Sequence, residues 1–133
     1  MSQHKKKPHF QLEKEFLDTQ ELKGGPLEGI VVIDVCRAVA GPNCTKLLLD
    51  LGCRVIKCEN VGSDSLRRDR PYYAQMNGGK ESIKIDFKNE NDMALFHRLV
   101  GKADILVENF RPGVTKKLGI SYEDLHDEYP RLI

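Results

Sequence analysis

Three short segments gather the residue types that bind small molecules. The first is Cys36-Arg37-Ala38-Val39-Ala40-Gly41-Pro42. Its small residues would let a ligand approach the backbone, and the helix that Pro42 is placed to open would supply free N–H groups and partial positive charge. The same composition also suits an ordinary tight strand-to-helix turn. The second is Glu108-Asn109-Phe110-Arg111-Pro112-Gly113. An Asn amide, an aromatic face and an Arg fork suit a nucleotide or an amide-rich ligand; alternatively, Asn109 caps the turn and Phe110 packs in the core. The third, Asn77-Gly78-Gly79-Lys80, reads as a turn presenting one cation near the same edge. Arg67, Arg68 and Arg70 form a basic loop that could receive phosphate or simply be solvated.

Other chemistries find little support. There is no G-x-G-x-x-G and no Walker lysine, so the motifs of NAD and ATP binding are absent. No nucleophile stands beside a base. His97 and His126 fall in helices, where structural or exposed roles are expected, and His4 and His9 belong to the N-terminal leader. Asp34 ends a strand and is placed to cap the turn that follows. The four cysteines, Cys36, Cys44, Cys53 and Cys58, include no C-x-x-C pair. They are expected to be reduced, mostly buried thiols, with no metal site and no disulfide framework.

The elements that must position these segments alternate between strand and helix. Residues 30–35 form a continuous β-branched run, as in a parallel strand buried on both faces. A helix over residues 43–51 follows, with Pro42 at its first position and Gly52 just past its end. Cys53 to Cys58 reads as the second strand, and a polar loop runs from there to Gly78-Gly79. Ser82-Ile83-Lys84-Ile85-Asp86 alternates like a strand with one exposed face. Asn89 caps a helix reaching about Lys102, with Asp92 placed for a capping box and Leu95, Phe96, Leu99 and Val100 as its buried stripe. Asp104-Ile105-Leu106-Val107 is a further buried strand. A short helix then stops at Gly119, and Ser121 with Asp124 opens a last helix ending before Pro130. This order implies an α/β fold with a doubly wound, mostly parallel sheet, whose ligands bind beyond the carboxyl ends of the strands. Arg131-Leu132-Ile133 reads as the start of another strand, so the sheet is expected to be incomplete at the C-terminus.

A chain of 133 residues suits one domain. Residues 1–25 read as a basic leader with a short amphipathic stretch at 10–22, and residues 26–133 as the folded unit. Lys and Arg total 21 against 20 Asp and Glu, a net charge of +1 that gives no drive towards nucleic acid or membrane surfaces. No apolar run approaches the ~18 residues of a membrane span. A cytoplasmic location is expected, with the mitochondrial matrix as the alternative.

Taken together, residues 27–34, Arg37-Ala38-Val39-Ala40-Gly41-Pro42, Leu49-Asp50-Leu51-Gly52 and Val55-Ile56-Lys57-Cys58-Glu59 resemble the start of the class III CoA-transferases. That family includes formyl-CoA transferase and carnitine CoA-transferase, with α-methylacyl-CoA racemase as a relative. Residues 77–82, Glu108-Asn109-Phe110-Arg111-Pro112-Gly113 and Lys117-Leu118-Gly119 continue the match, which spans residues 26–133. The resemblance implies a Rossmann-like fold and an acyl-CoA:carboxylate CoA-transferase, with coenzyme A or acyl-CoA as substrate, a carboxylic acid as acceptor and no permanently bound cofactor. Ala38, Val39 and Ala40 would lie along the thioester end of CoA, Asn109 and Phe110 would line its channel, and Lys117 would meet the nucleotide end. Lys80 matches the lysine of the family's N-x-N-K-R-S segment; this chain has Gly79 and Glu81 in place of the second Asn and the Arg, and Asn60 where some members have an Arg. Family catalysis runs through an aspartyl-CoA intermediate on an Asp downstream of Ile133, so no residue here matches it and this chain by itself is expected to be inactive. Full-length members are homodimers. Within the resemblance an acyl-CoA racemase is an alternative activity. Outside it, a non-catalytic CoA-binding module or a degenerate remnant acting with a partner chain remains open.

Overall fold

The computed structural model describes residues 24–60 and 70–133. The amphipathic stretch expected at 10–22 and the side chains of Arg67, Arg68 and Arg70 lie outside the described set. Four strands form one sheet: β1 (Val31–Asp34), β2 (Arg54–Asn60), β3 (Glu81–Ile85) and β4 (Ile105–Val107). Their order is β3-β2-β1-β4, and every pair is parallel. The chain first builds outward from β1 to β3, then returns to place β4 on the other side of β1. That reversal opens a crevice at the carboxyl ends of β1 and β4, where ligands bind in doubly wound sheets.

Helices cover both faces. They are α1 (Ala40–Asp50), α2 (Arg70–Asn77), α3 (Glu90–Val100), α4 (Val114–Leu118) and α5 (Tyr122–Leu125). Because strand side chains alternate, Ile33 and Val35 of the β1 segment join Ile56, Cys58 and Ile85 in a large apolar cluster beneath Leu95, Phe96, Leu99 and Val100 of α3. Phe96 is fully buried and meets Phe87 edge-to-face with centroids 5.3 Å apart. Burying each such side chain stabilises the fold by ~1.5–3 kcal/mol. The opposite parity, Val32 and Val55, forms a smaller cluster with Cys53, packed by Leu48 and Leu49 of α1.

The expected alternation is present, with local differences. Helix α1 begins at Ala40, three residues before the expected start, so Pro42 sits inside its first turn. Helix α2 occupies part of the stretch expected to be loop. It lacks an aliphatic stripe; Tyr73 ties it to the sheet by donating to Glu59 at 2.7 Å, a polar contact that periodicity does not reveal. Asn89 caps α3 by accepting from the Asn91 and Asp92 amides, but Asp92 turns its carboxylate to the Asp86 amide at 2.8 Å and does not close the box. The full capping box belongs instead to Ser121 and Asp124 at α5. Ile133 donates to the Asp104 carbonyl and accepts from the Leu106 amide, the first rung of a parallel ladder on the outer edge of β4. Beside that rung lies a cavity of about 170 Å³, lined in part by Leu106, Ile120, Leu125, Tyr129 and Leu132. No helix among the described residues is long and apolar enough to cross a membrane.

Candidate functional site

The turn from β1 into α1 and the loop after β4 meet in the crevice that the strand order creates. Asn109 joins them. Its side-chain carbonyl accepts from the Arg37 amide at 2.9 Å and its NH2 donates to the Arg37 carbonyl at 2.8 Å. Both ends of the amide are thus spent on one residue of the facing turn. The Arg37 guanidinium lies 5.2 Å from the centre of the Phe110 ring, a second bridge across the crevice. Phe110 is half-buried, with its inner edge against the main apolar cluster. Neither sequence reading of this loop excluded the other: Asn109 fixes a turn, Phe110 reaches the core, and both still line the crevice.

Between these anchors the chain is exposed. Ala38, Val39 and Ala40 face solvent, with Val39 at 46% exposure. Ala38 has φ of +59°, the only non-glycine residue among those described with positive φ. An L side chain there costs roughly 1–2 kcal/mol, so the surroundings must enforce it. Val39, at the N-cap of α1, gives no side-chain hydrogen bond, which leaves first-turn amides open to a ligand. Gly41 is required for a different reason from the one its smallness suggested. A Cβ at this position would come within 2.5 Å of the Cys36 side chain and 3.0 Å of Asn109 Cγ. The space is filled by the protein itself, and it is the residues just before Gly41 that remain accessible.

Beneath the turn lies a group of buried charges. Asp34 is fully buried; its Oδ1 accepts from the Cys36 amide at 2.8 Å, and its Oδ2 accepts from Thr45 Oγ1 at 2.7 Å and Lys80 Nζ at 2.9 Å. Lys57 Nζ stands 3.8 Å from the same oxygen and donates to the Cys36 carbonyl at 2.9 Å. Burial alone would raise the Asp34 carboxyl, but Lys57 and Lys80 beside it, with the bonds from Thr45 and Lys80, hold it below its ordinary value. Cys36 is the nucleophilic side chain nearest the turn. Burial, with Asp34 adjacent, pushes its thiol far up, so it stays protonated and donates to the Val107 carbonyl at 3.2 Å. No group of three or more metal-binding side chains occurs among the described residues. This arrangement can hold and orient a ligand along a strained turn; it offers no activated nucleophile.

Lys80 departs from its sequence expectation. Its side chain is 1% exposed and turned inward, away from any ligand edge, because four oxygens receive it there: those of Asp34, Pro42, Thr45 and Asn77, at 2.8–3.0 Å. Ala38, Val39, Ala40, Asn109 and Phe110 come together at the crevice. Lys117 is exposed at the end of α4. Lys57, Thr45 and Asp34 were missed as parts of this assembly; the signal available was an Asp at the end of an apolar strand, aligned in register with a lysine at the same level of the next strand. Gly79 has φ of +89°, a region shared by Gly and Asn, so glycine preserves the turn where the family pattern has Asn. Glu81 pairs with Arg54 through Nε–Oε1 at 2.6 Å and Nη2–Oε2 at 2.9 Å, which gives that departure an internal partner. His97 and His126 lie elsewhere, against Tyr129 and Tyr122.

Residues 27–133 match the model of CoA-transferase family III. The chain is 46% identical over 117 residues to acetyl-CoA:oxalate CoA-transferase of Acetobacter aceti, covering 82% of this chain and 30% of that protein. It is 36% identical over 117 residues to formyl-CoA:oxalate CoA-transferase of Escherichia coli, covering 81% and 28% respectively. A crystal structure of a CAIB/BAIF family protein from Brucella suis superposes with a TM-score of 0.78 at 37% identity, over 84% of this chain and 32% of that one. The chain thus spans about 30% of the length of the curated relatives it matches. With the parallel sheet, the crevice and the matched residues in agreement, the chain belongs to CoA-transferase family III.

Proposed function

We propose that this chain provides the coenzyme A-facing part of an acyl-CoA:carboxylate CoA-transferase. The observation that carries this reading is the exposed, strained Ala38-Val39-Ala40 turn, clamped by Asn109 at the carboxyl edge of the sheet in a family III chain. An extended pantetheine arm fits such a site, because its amides need backbone partners and its thioester needs small neighbours. Phe110 and the Arg37 guanidinium stacked on it give that arm an apolar wall, and the exposed Lys117 supplies a cation towards the phosphates. Transfer itself requires a carboxylate that attacks the thioester, releases the CoA thiolate and then takes it back as an aspartyl-CoA thioester. None of this chain's residues is assigned that attack, and the protonated Cys36 thiol does not substitute for it. In this reading the chain binds and aligns acyl-CoA, the acceptor acid reacts on the downstream carboxylate, and the whole protein works as a homodimer in the cytoplasm.

Native mass spectrometry of the chain with free CoA tests the reading. A 1:1 adduct is expected, and it should disappear in the Asn109→Ala/Phe110→Ala variant. A folded parent chain that gives no adduct overturns it.

A further inference from the structure

We propose that Lys80 and Asp34 are positioning residues: from beneath the sheet edge they hold the Ala38-Val39-Ala40 turn in place, with Ala38 in its left-handed conformation, and through it set the affinity for CoA. This inference rests on the CoA-binding reading of that turn. The chain is fixed at three points around the strained residue. The Cys36 amide is held by Asp34 at 2.8 Å, both backbone groups of Arg37 by Asn109, and the Pro42 carbonyl by Lys80 at 2.8 Å. Two of these anchors precede Ala38; after it, Lys80 joins the Asn43 amide, which donates to the Val39 carbonyl at 2.9 Å, in fixing the chain. Only with both sides fixed is a non-glycine residue kept at φ of +59°.

Lys80 is more than a counter-ion. Asp34 already accepts from Thr45 and the Cys36 amide and has Lys57 at 3.8 Å, so neutralising it needs no second lysine with this reach. What Lys80 adds is connection. Its ammonium donates to the end of β1 (Asp34), to the first two turns of α1 (Pro42 and Thr45) and to the last residue of α2 (Asn77). An ammonium has three donors and each is charge-assisted here, so one buried atom ties three elements together. An apolar side chain of equal length would fill the same volume and leave the Pro42 carbonyl only the weaker bond from Thr45 Oγ1 at 3.2 Å, with nothing tying α1 to α2 at this point.

The experiment uses the full chain, free CoA as probe, and the Asp34→Asn/Lys80→Met variant, which removes both charges of the pair and keeps an oxygen for the Cys36 amide. Calorimetry gives the CoA dissociation constant, and amide hydrogen exchange gives the protection of Arg37 and Asn43, whose amides flank the turn and donate to Asn109 Oδ1 and the Val39 carbonyl. We expect the variant to remain folded by circular dichroism, with affinity about tenfold weaker and exchange at the Arg37 and Asn43 amides about tenfold faster, while α3 is unchanged. Adding Ala38→Gly, which suits the left-handed region, should restore several-fold of the lost affinity; a merely structural pair would show no such rescue. A folded variant with affinity and exchange within twofold of the parent overturns the proposal. If the parent binds no CoA, the CoA-binding reading fails, and exchange at Arg37 and Asn43 still decides whether the pair positions the turn. Should the double variant not fold, Asn77→Ala removes one Lys80 acceptor and no buried charge; unchanged exchange at the turn in that variant likewise overturns the proposal.

Discussion

The two faces of the sheet are built from different materials. Under α3 the interior is entirely apolar, from Ile33, Ile56 and Ile85 to Phe96 and Leu99. Under α1 the same strands carry Val32 and Val55 at their amino halves and then Asp34, at the end of β1, beside Lys57, at the middle of β2, both buried. Apolar contacts are non-directional and tolerate small shifts, whereas a buried charge is stable only when its partners stand at fixed distances. The face that stabilises the fold is therefore the one free of ions. The face that borders the crevice accepts their desolvation cost, and in return the turn above it has few alternative positions.

Breaking the charged face should have the largest effect. Lys80→Met alone leaves Asp34 with Lys57 at 3.8 Å but strips the shared charged donor from four oxygens, and is expected to cost ~3–5 kcal/mol, read as a fall in the urea midpoint. In the Asp34→Asn/Lys80→Met variant the buried Lys57 loses its carboxylate, so the loss should not return in full; a double-mutant cycle should still give a coupling above ~0.5 kcal/mol, and purely additive losses would show that the pair is not coupled as its geometry implies. On the apolar face, Leu99→Ala is expected to cost ~2–5 kcal/mol, with no second substitution restoring it except one that refills the cavity.

Acid sharpens the contrast further. The folded Asp34 carboxyl lies below its ordinary value of 3.8, so its contribution is fully present above that pH and is lost as pH falls through the lower folded value. Urea midpoints of the parent should thus drop more steeply below pH 4 than those of the Asp34→Asn/Lys80→Met variant, and equal slopes would refute the assignment. The Leu99→Ala penalty should stay constant over the same range.

Smaller effects follow at the margins. Cys44 is exposed, while Cys36, Cys53 and Cys58 are buried, with the Cys58 thiol pushed up to about 12 by burial and by Asp34. A thiol reagent at neutral pH should label Cys44 in the native chain and the other three only on unfolding. Glu81→Ala should cost less than ~1 kcal/mol, since Glu81 is partly exposed in its pair with Arg54.

The sequence alone determined the alternating order of elements, the strand that leads into the Ala38 turn, the α3 stripe and the Ser121 cap, because each is written in local periodicity or local hydrogen-bonding chemistry. It also carried the family, through the residues of the two crevice loops and their spacing. It did not show α2, whose attachment is a tyrosine hydroxyl on a glutamate far away in the chain. Nor did it show which way Lys80 points, since a lysine after two glycines reads as solvated until Asp34, Pro42, Thr45 and Asn77 are brought around it. Those four oxygens come from three separate elements. Only the folded sheet, with β1 between β2 and β4, sets β1's end among them, because burial and long-range hydrogen bonding depend on positions that no local window contains.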